Sequence, residues 1–286
     1  MPVIDSPLRY PGGKSQLIPL VLDIMRENSF FYGEYAEPFA GGSGVALHLL
    51  FNGYVDRIYL NDIDQAIYAF WYSVINKNDE FCDLIERVDV DVAQWRYQRC
   101  IYLDKYESDY LKKGFSVFFL NRTNRSGIIK AGVIGGINQN GKYKIDCRFD
   151  KKNLIARVKR IAKYKDQISL TNLDAVDFIK EIVPSAAEKT LVNIDPPYFK
   201  NGKDLYTNFY TKKDHEKLAK VIQLIEKNWM VTYDDSPEIR ALFGSYKIYS
   251  NNLNYSAQTK RVGTELLILD PRLNVPESLK KLNFCI

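Results

Sequence analysis

The chain has 286 residues, 46% hydrophobic and 26% charged, enough apolar material for one large α/β domain or one such domain carrying an insertion. No run of about 18 apolar residues occurs, the first residues lack a secretory pattern, and Cys82, Cys100, Cys147 and Cys285 are far apart with only His48 and His215 as companions; a membrane span, a disulfide framework and a zinc site are therefore not indicated, and a cytoplasmic protein is expected. The net charge of +5 is uneven: residues 121–165 hold thirteen Lys or Arg against Asp146 and Asp150, a local +11 that leaves −6 elsewhere, the pattern of a localised surface that meets phosphates.

In chain order, the first informative segment is Arg9-Tyr10-Pro11-Gly12-Gly13-Lys14. A Pro-Gly-Gly turn followed by lysine makes a backbone loop with a cation available to a carboxylate. A helix is predicted over Ser15–Glu27 and a strand over Gly33–Ala36. Phe39-Ala40-Gly41-Gly42-Ser43-Gly44 then precedes a helix at Gly44–Phe51. Its glycines let the backbone turn tightly and approach a ligand beside the free N–H groups of a helix N-terminus. The spacing matches neither a phosphate loop nor Gly-x-Gly-x-x-Gly, so close packing of helix on strand is the competing explanation. A second strand, Arg57–Leu60, ends in Asn61-Asp62. Asp62 lies 23 residues after Phe39, near the spacing at which an acidic residue of a nucleotide-binding βαβ unit accepts from ribose hydroxyls. The helix Gln65–Ile75 needs a cap; Asp64 takes that duty and Asp62 keeps the ribose.

After Ile75 the regular spacing breaks, and about ninety residues separate this helix from the next strand, against the usual 2–6. An inserted subdomain over 76–165 is expected, leaving 1–75 and 166–286 as the catalytic domain. Asp79–Gly114 is predicted helical. Asn140-Gly141 before the alternating Lys142-Tyr143-Lys144-Ile145-Asp146 predicts a β-hairpin carrying Lys142 and Lys144. Lys151–Lys165 has helical spacing, with Leu154, Ile155, Val158 and Ile161 facing inward. Strands follow at Gln167–Thr171, Thr190–Ile194, Trp229–Tyr233, Tyr246–Ser250 and Glu265–Leu269, with helices at Val176–Ile182, Lys212–Lys227 and Pro237–Leu242. Seven strands with helices between them predict an α/β, doubly wound, mostly parallel sheet. Asn251–Arg261 is expected to be a polar loop, either one able to close over DNA near the site or a plain surface loop.

Thr190–Ile194 runs straight into Asp195-Pro196-Pro197-Tyr198, which places a polar site at a strand's carboxyl end, where ligands bind in open α/β sheets. A carboxylate, a proline-fixed turn and an aromatic ring at this spacing can hold an exocyclic amine for methylation. Asp-Pro-Pro is also an ordinary way to stop a strand.

The Gly-Gly-Lys segment, the Phe-x-Gly-Gly loop, an insertion and Asp-Pro-Pro-Tyr occur here in the order found in the Dam-like DNA adenine-N6 methyltransferases, and the chain resembles that family, most strongly over 6–75 and 167–200. The resemblance implies the seven-stranded methyltransferase fold, with a mainly helical and hairpin DNA-recognition subdomain and S-adenosylmethionine as methyl donor. It implies donor contacts from Tyr10, Lys14, Phe39, Gly41, Gly42, Gly44, Asp62, Asp174 and Asp195, with Lys14 near the methionine carboxylate and Asp174 near the adenine ring, although Ala175 replaces the usual aromatic. Asp195 and the Pro196 carbonyl would accept the amine's two hydrogens and Tyr198 would stack on a flipped base, with no metal. Aspartate at position 195 favours adenine over cytosine or protein glutamine. Phe119–Gly127 is similar to the family's lead into its DNA-reading hairpin, which makes Arg122 and Arg125 candidates for phosphate or guanine and Asn124 for a base contact. Residues 128–140 do not align with the family's GATC-reading segment, so that target is not inherited. The partners implied are double-stranded DNA and the donor, without a membrane, for a monomer or weak dimer. An RNA adenine methyltransferase and a catalytically idle DNA-binding protein are the alternatives; a binding module would need none of Lys14, the Phe39–Gly44 loop or Asp195–Tyr198.

Overall fold

The computed structural model describes residues 5–9, 14–199, 210–255 and 261–280, and these fall into two compact units. One comprises 14–63 together with the described residues from 167 onward; the other comprises 5–9 and 64–166.

The first unit is built on a seven-stranded sheet. Its strands are β1 (Gly33–Glu37), β2 (Val55–Asn61), β3 (Ile168–Thr171), β4 (Thr190–Ile194), β5 (Asn228–Asp234), β6 (Ile248–Tyr255) and β7 (Arg261–Leu269). They lie in the order β3-β2-β1-β4-β5-β7-β6. The first five run parallel, and β7 is antiparallel to both β5 and β6. β4 is buried along its whole length, as a central parallel strand covered on both faces must be. Helices α1 (Ile18–Glu27) and α2 (Gly44–Phe51) sit in the first half; α2 is almost entirely apolar and buries six of its eight residues. Phe178, Leu218, Ile222, Trp229, Leu266 and Ile268 belong to one continuous core. Each such side chain contributes about 1.5–3 kcal/mol on burial. The strand expectations all survive. The polar segment after Ser250 is not a loop at its start, because β6 pairs with β7 through Tyr255; residues 256–260 lie outside the described residues.

The second unit holds α3 (Gln65–Asn76), α4 (Asn78–Arg87), α5 (Val92–Leu103), α6 (Tyr110–Thr123) and α7 (Lys151–Ala162). Four begin on an aspartate whose side chain accepts backbone N–H: Asp64 for α3, Asp91 for α5, Asp109 for α6 and Asp150 for α7. Each cap contributes about 1 kcal/mol. The boundary falls at Ile63/Asp64 and not after residue 75, since α3 packs within this unit: the rings of Phe70 and Phe118 lie parallel with centroids 6.2 Å apart. Gly114 permits this approach, because a Cβ there would stand 2.4 Å from the Ala69 carbonyl oxygen.

The hairpin expected at Asn140-Gly141 is absent. The glycine-rich stretch before it has little strand propensity, and the Gln139 side chain takes the backbone groups a partner strand would use: its amide donates to the carbonyls of Ile134 (2.8 Å) and Gly136 (2.6 Å) and its oxygen accepts from the Ile145 amide (2.9 Å). Residues Ile145–Arg148 form a 3-10 turn instead.

The remaining helices of the first unit are α8 (Ala175–Glu181), α9 (Lys212–Ile222), α10 (Pro237–Leu242) and the short α11 (Glu277–Lys280). No helix among the described residues is long and apolar enough to cross a membrane.

Candidate active site

The carboxyl ends of β1, β2, β4 and β5 bring the predicted residues of the first unit together. Asp195 stands half-buried directly after β4, and the residues that follow it, Pro196, Pro197 and Tyr198, are buried. Three bonds hold this segment from neighbouring strands. Thr232 of β5 donates its hydroxyl to Asp195 Oδ1 at 2.6 Å, the Phe199 amide donates to Asp234 Oδ1 at 2.7 Å, and the Tyr198 hydroxyl donates to Glu265 Oε1 on β7.

From β1 the chain turns through Phe39–Gly44. Gly41 has φ +45°, a left-handed conformation that glycine adopts without strain, and its amide donates to Asp62 Oδ2 at 3.0 Å. Asn61, fully buried, ties three segments together. Its amide donates to the carbonyls of Pro38 and Leu173, both at 3.0 Å, and its oxygen accepts from Thr171 Oγ1 (2.8 Å) and the Leu173 amide (2.9 Å). Every hydrogen-bonding position of that side chain is used. Asp62, Phe39 and Asp174 are thereby set at the ends of β2, β1 and β3. Asp174 also caps α8, its Oδ1 accepting from the Val176 amide at 2.9 Å. Gly42 and Gly44 lie in the same turn, Gly44 opening α2. Lys14 opens a 3-10 turn ahead of α1, described for its backbone alone, and Tyr10 lies outside the described residues.

Two further groups were not singled out by the sequence. Glu37, the last residue of β1, is buried, and burial pushes its carboxyl up to about 8, the Asp195 charge adding to the effect while Ser43, Tyr35 and the Ala46 amide pull it back. Glu37 Oε2, the Tyr35 hydroxyl and Asn193 Oδ1 are buried near one another, and none of the three makes a well-formed hydrogen bond among the described residues. Tyr210 packs edge-on against Phe39, with ring centroids 5.7 Å apart, and burial together with Asp174, Asp214 and Asp62 raises its hydroxyl pKa. Neither position sits in a legible motif.

In the second unit the expected DNA contacts divide. Arg122 is only 7% exposed and donates through Nε to the Pro7 carbonyl at 2.7 Å and through Nη2 to the same oxygen. Burial, then the charges of Arg157, Arg9 and Arg148, lower its pKa to about 9. Asn124 is fully buried: its Oδ1 accepts from Trp95 Nε1 at 2.6 Å and its amide donates to Ile129 at 2.7 Å and Ile128 at 3.2 Å. Both expectations are therefore corrected, since these side chains are buried and spend their donors on carbonyls of the unit's interior. Arg122 clamps the segment 5–9, as does Asn121, which grips the Arg9 backbone at 2.7 and 3.0 Å. Gly127 (φ +75°) completes the clamp, for a Cβ there would lie 2.1 Å from the Arg9 carbonyl oxygen. Arg125, Lys142 and Lys144 are exposed.

The chain matches the family model of the D12 class N6 adenine-specific DNA methyltransferases over residues 10–257. It belongs to this family. The protein is a DNA adenine methyltransferase that binds DNA and uses S-adenosylmethionine as methyl donor. It is 25% identical over 242 residues to the Type II methyltransferase M.MjaIII of Methanocaldococcus jannaschii, covering 77% of this chain and 80% of that protein. Among solved structures, M. capricolum TrmK in complex with S-adenosyl-homocysteine is 9% identical with a TM-score of 0.36, over 87% of this chain and 68% of that one. Precorrin 8w decarboxylase of Methanobacterium thermoautotrophicum is 10% identical with a TM-score of 0.37, over 89% of each chain. These loose likenesses add nothing to the family assignment.

For this methyltransferase, Arg122→Met is expected to lower stability by about 1–3 kcal/mol, through the loss of charge-assisted bonds to a buried carbonyl, and to leave the salt dependence of DNA binding unchanged. Denaturant melts and a salt titration measure the two effects. A flattened salt slope at unaltered stability would return Arg122 to the DNA surface.

Proposed function

We propose that Asp195 and the Pro196 carbonyl hold the N6 amine of an adenine flipped out of double-stranded DNA, that Tyr198 offers the ring on which the base stacks, and that the loop Phe39–Gly44 with Asp62 holds the donor. The observation that carries this reading is the half-buried Asp195, seated at the end of a wholly buried strand and fixed by Thr232. The amine's lone pair is delocalised into the ring, so it must be turned toward a pyramidal nitrogen; two acceptors on its hydrogens favour that geometry, and positioning with electrostatics is sufficient. Stacking on an aromatic ring offsets part of the few kcal/mol that flipping costs.

The residues present fit the donor. When bound, S-adenosylmethionine supplies an electrophilic methyl on a sulfonium. Asp62 suits a neutral ribose, and its bond to the Gly41 amide keeps the carboxylate and the glycine turn in register. Glu37, whose Oε2 makes no well-formed hydrogen bond among the described residues, stands at the root of the same turn and suits the donor's ammonium, a role the sequence did not suggest. Tyr210, beside Phe39 and the carboxylates of Asp62 and Asp174, suits a wall of the adenosine site. Lys14 and Tyr10 remain donor contacts on the resemblance, as do Gly42, Gly44 and Asp174.

Arg125, Lys142 and Lys144 are the proposed phosphate contacts, exposed within the segment that holds the positive excess. Exchanging all three for glutamine is expected to weaken DNA binding and to reduce the slope of log K against log salt by up to about 3. An unchanged slope would move the DNA surface elsewhere. The protein is proposed to act as a cytoplasmic monomer or weak dimer. Mapping N6-methyladenine in DNA and in RNA exposed to the enzyme tests the substrate, and methylation of RNA alone would overturn it.

A further inference from the structure

We infer that Thr232 is a positioning residue for methyl transfer, holding the Asp195 carboxylate at the rotation in which it receives the amine. The inference rests on the reading of Asp195 given above. β4 and β5 pair in parallel with Ile194 beside Val231, which brings the next residues, Asp195 and Thr232, level. Thr232 is 2% exposed in the row Met230-Val231-Thr232-Tyr233, otherwise made of apolar and aromatic side chains that are equally buried. Valine would fit such a strand at least as well. A buried hydroxyl is costly unless bonded, so its presence here calls for a partner, and that partner is Asp195 Oδ1 at 2.6 Å.

The bond matters because the last torsion of an aspartate is soft. Its carboxylate has a broad, two-fold rotational profile, whereas the branched threonine is stiff at χ1 and presents its hydroxyl in a defined direction. A group that must hold a reacting amine has a tolerance of roughly 10–20°. A stiff donor on the neighbouring strand supplies that precision to a soft acceptor. The end of β5 and the strand beyond it, β7, do the same for the rest of the segment: Asp234 and Glu265 are cross-strand partners, and they take the Phe199 amide and the Tyr198 hydroxyl.

Single-turnover methylation of DNA, with the donor saturating and the DNA complex preformed, tests the role. Thr232→Val removes the hydroxyl without changing shape. Its rate constant is expected to fall roughly 10- to 100-fold, the effect of one hydrogen bond to a charged group, with donor and DNA dissociation constants unchanged within about twofold. Thr232→Ser restores the hydroxyl and is expected to recover to within about threefold of wild type. In an Asp195→Asn background Thr232→Val adds little, because coupled residues are not additive. A wild-type rate for Thr232→Val, equal losses in the Val and Ser variants, or a loss confined to donor or DNA binding would each overturn the positioning role. Full activity of Asp195→Asn would instead remove the reading of Asp195 on which the inference rests.

Discussion

Replacing Asp195 with alanine is expected to abolish methyl transfer, by more than about 10³-fold, while DNA binding stays within a few-fold of wild type. The expectation follows from where the side chain stands. It projects from the end of β4, buried prolines follow it, and Thr232 fixes it from the side. Its removal deletes an acceptor at the reacting nitrogen without touching the glycine turn that meets Asp62 or the exposed cations of the other unit. A loss confined to kcat is the signature of an interaction made only as the reaction proceeds. Labelled-methyl incorporation into DNA, with binding measured separately, decides the matter. Turnover within tenfold of wild type would show that Asp195 does not hold the amine.

The seven strands were legible because each is a short apolar run bounded by polar turns, and the candidate-site segments stood out because each sits where such a run stops. Capping of α3 was expected of Asp64, and its side chain does cap that helix. What escaped the sequence was everything decided by burial. Arg122 and Asn124 read as nucleic-acid contacts because their residue types can make them, yet α6 buries its last turn, and there the same donors serve carbonyls of the chain. The hairpin failed for a related reason, since one glutamine side chain outcompeted a strand. Glu37 carries no sequence signal, standing just past the apolar run that predicts β1. Its significance arises only when β1 and β4 place it against Asp195, a long-range fact with no local signal. Asn61 carries no motif of its own, though it is the side chain on which three segments converge.

Glu37 yields the second large expectation, in the pH dependence of stability. Its folded pKa, about 8, lies above its ordinary value of 4.5. A raised carboxyl contributes stability that is fully present below pH 4.5 and is lost as pH rises toward 8, because the folded state holds a proton there that the unfolded chain has released. The loss reaches at most about 5 kcal/mol. Glu37→Gln keeps the neutral shape without the titration, so its stability is expected to lack this decline and to exceed that of wild type at pH 8 and above. Denaturant melts from pH 5 to 9 measure the difference, and parallel curves for the two proteins would show that Glu37 does not titrate in this window. The donor's ammonium, if it binds at Glu37 as proposed, would favour the charged carboxylate. Donor binding near pH 7 is then expected to release up to about one proton from wild type and none from the variant, as read by calorimetry in buffers of different ionisation heat. Equal proton release from both proteins would separate Glu37 from the ammonium and leave it a buried acid whose neutral form the fold requires.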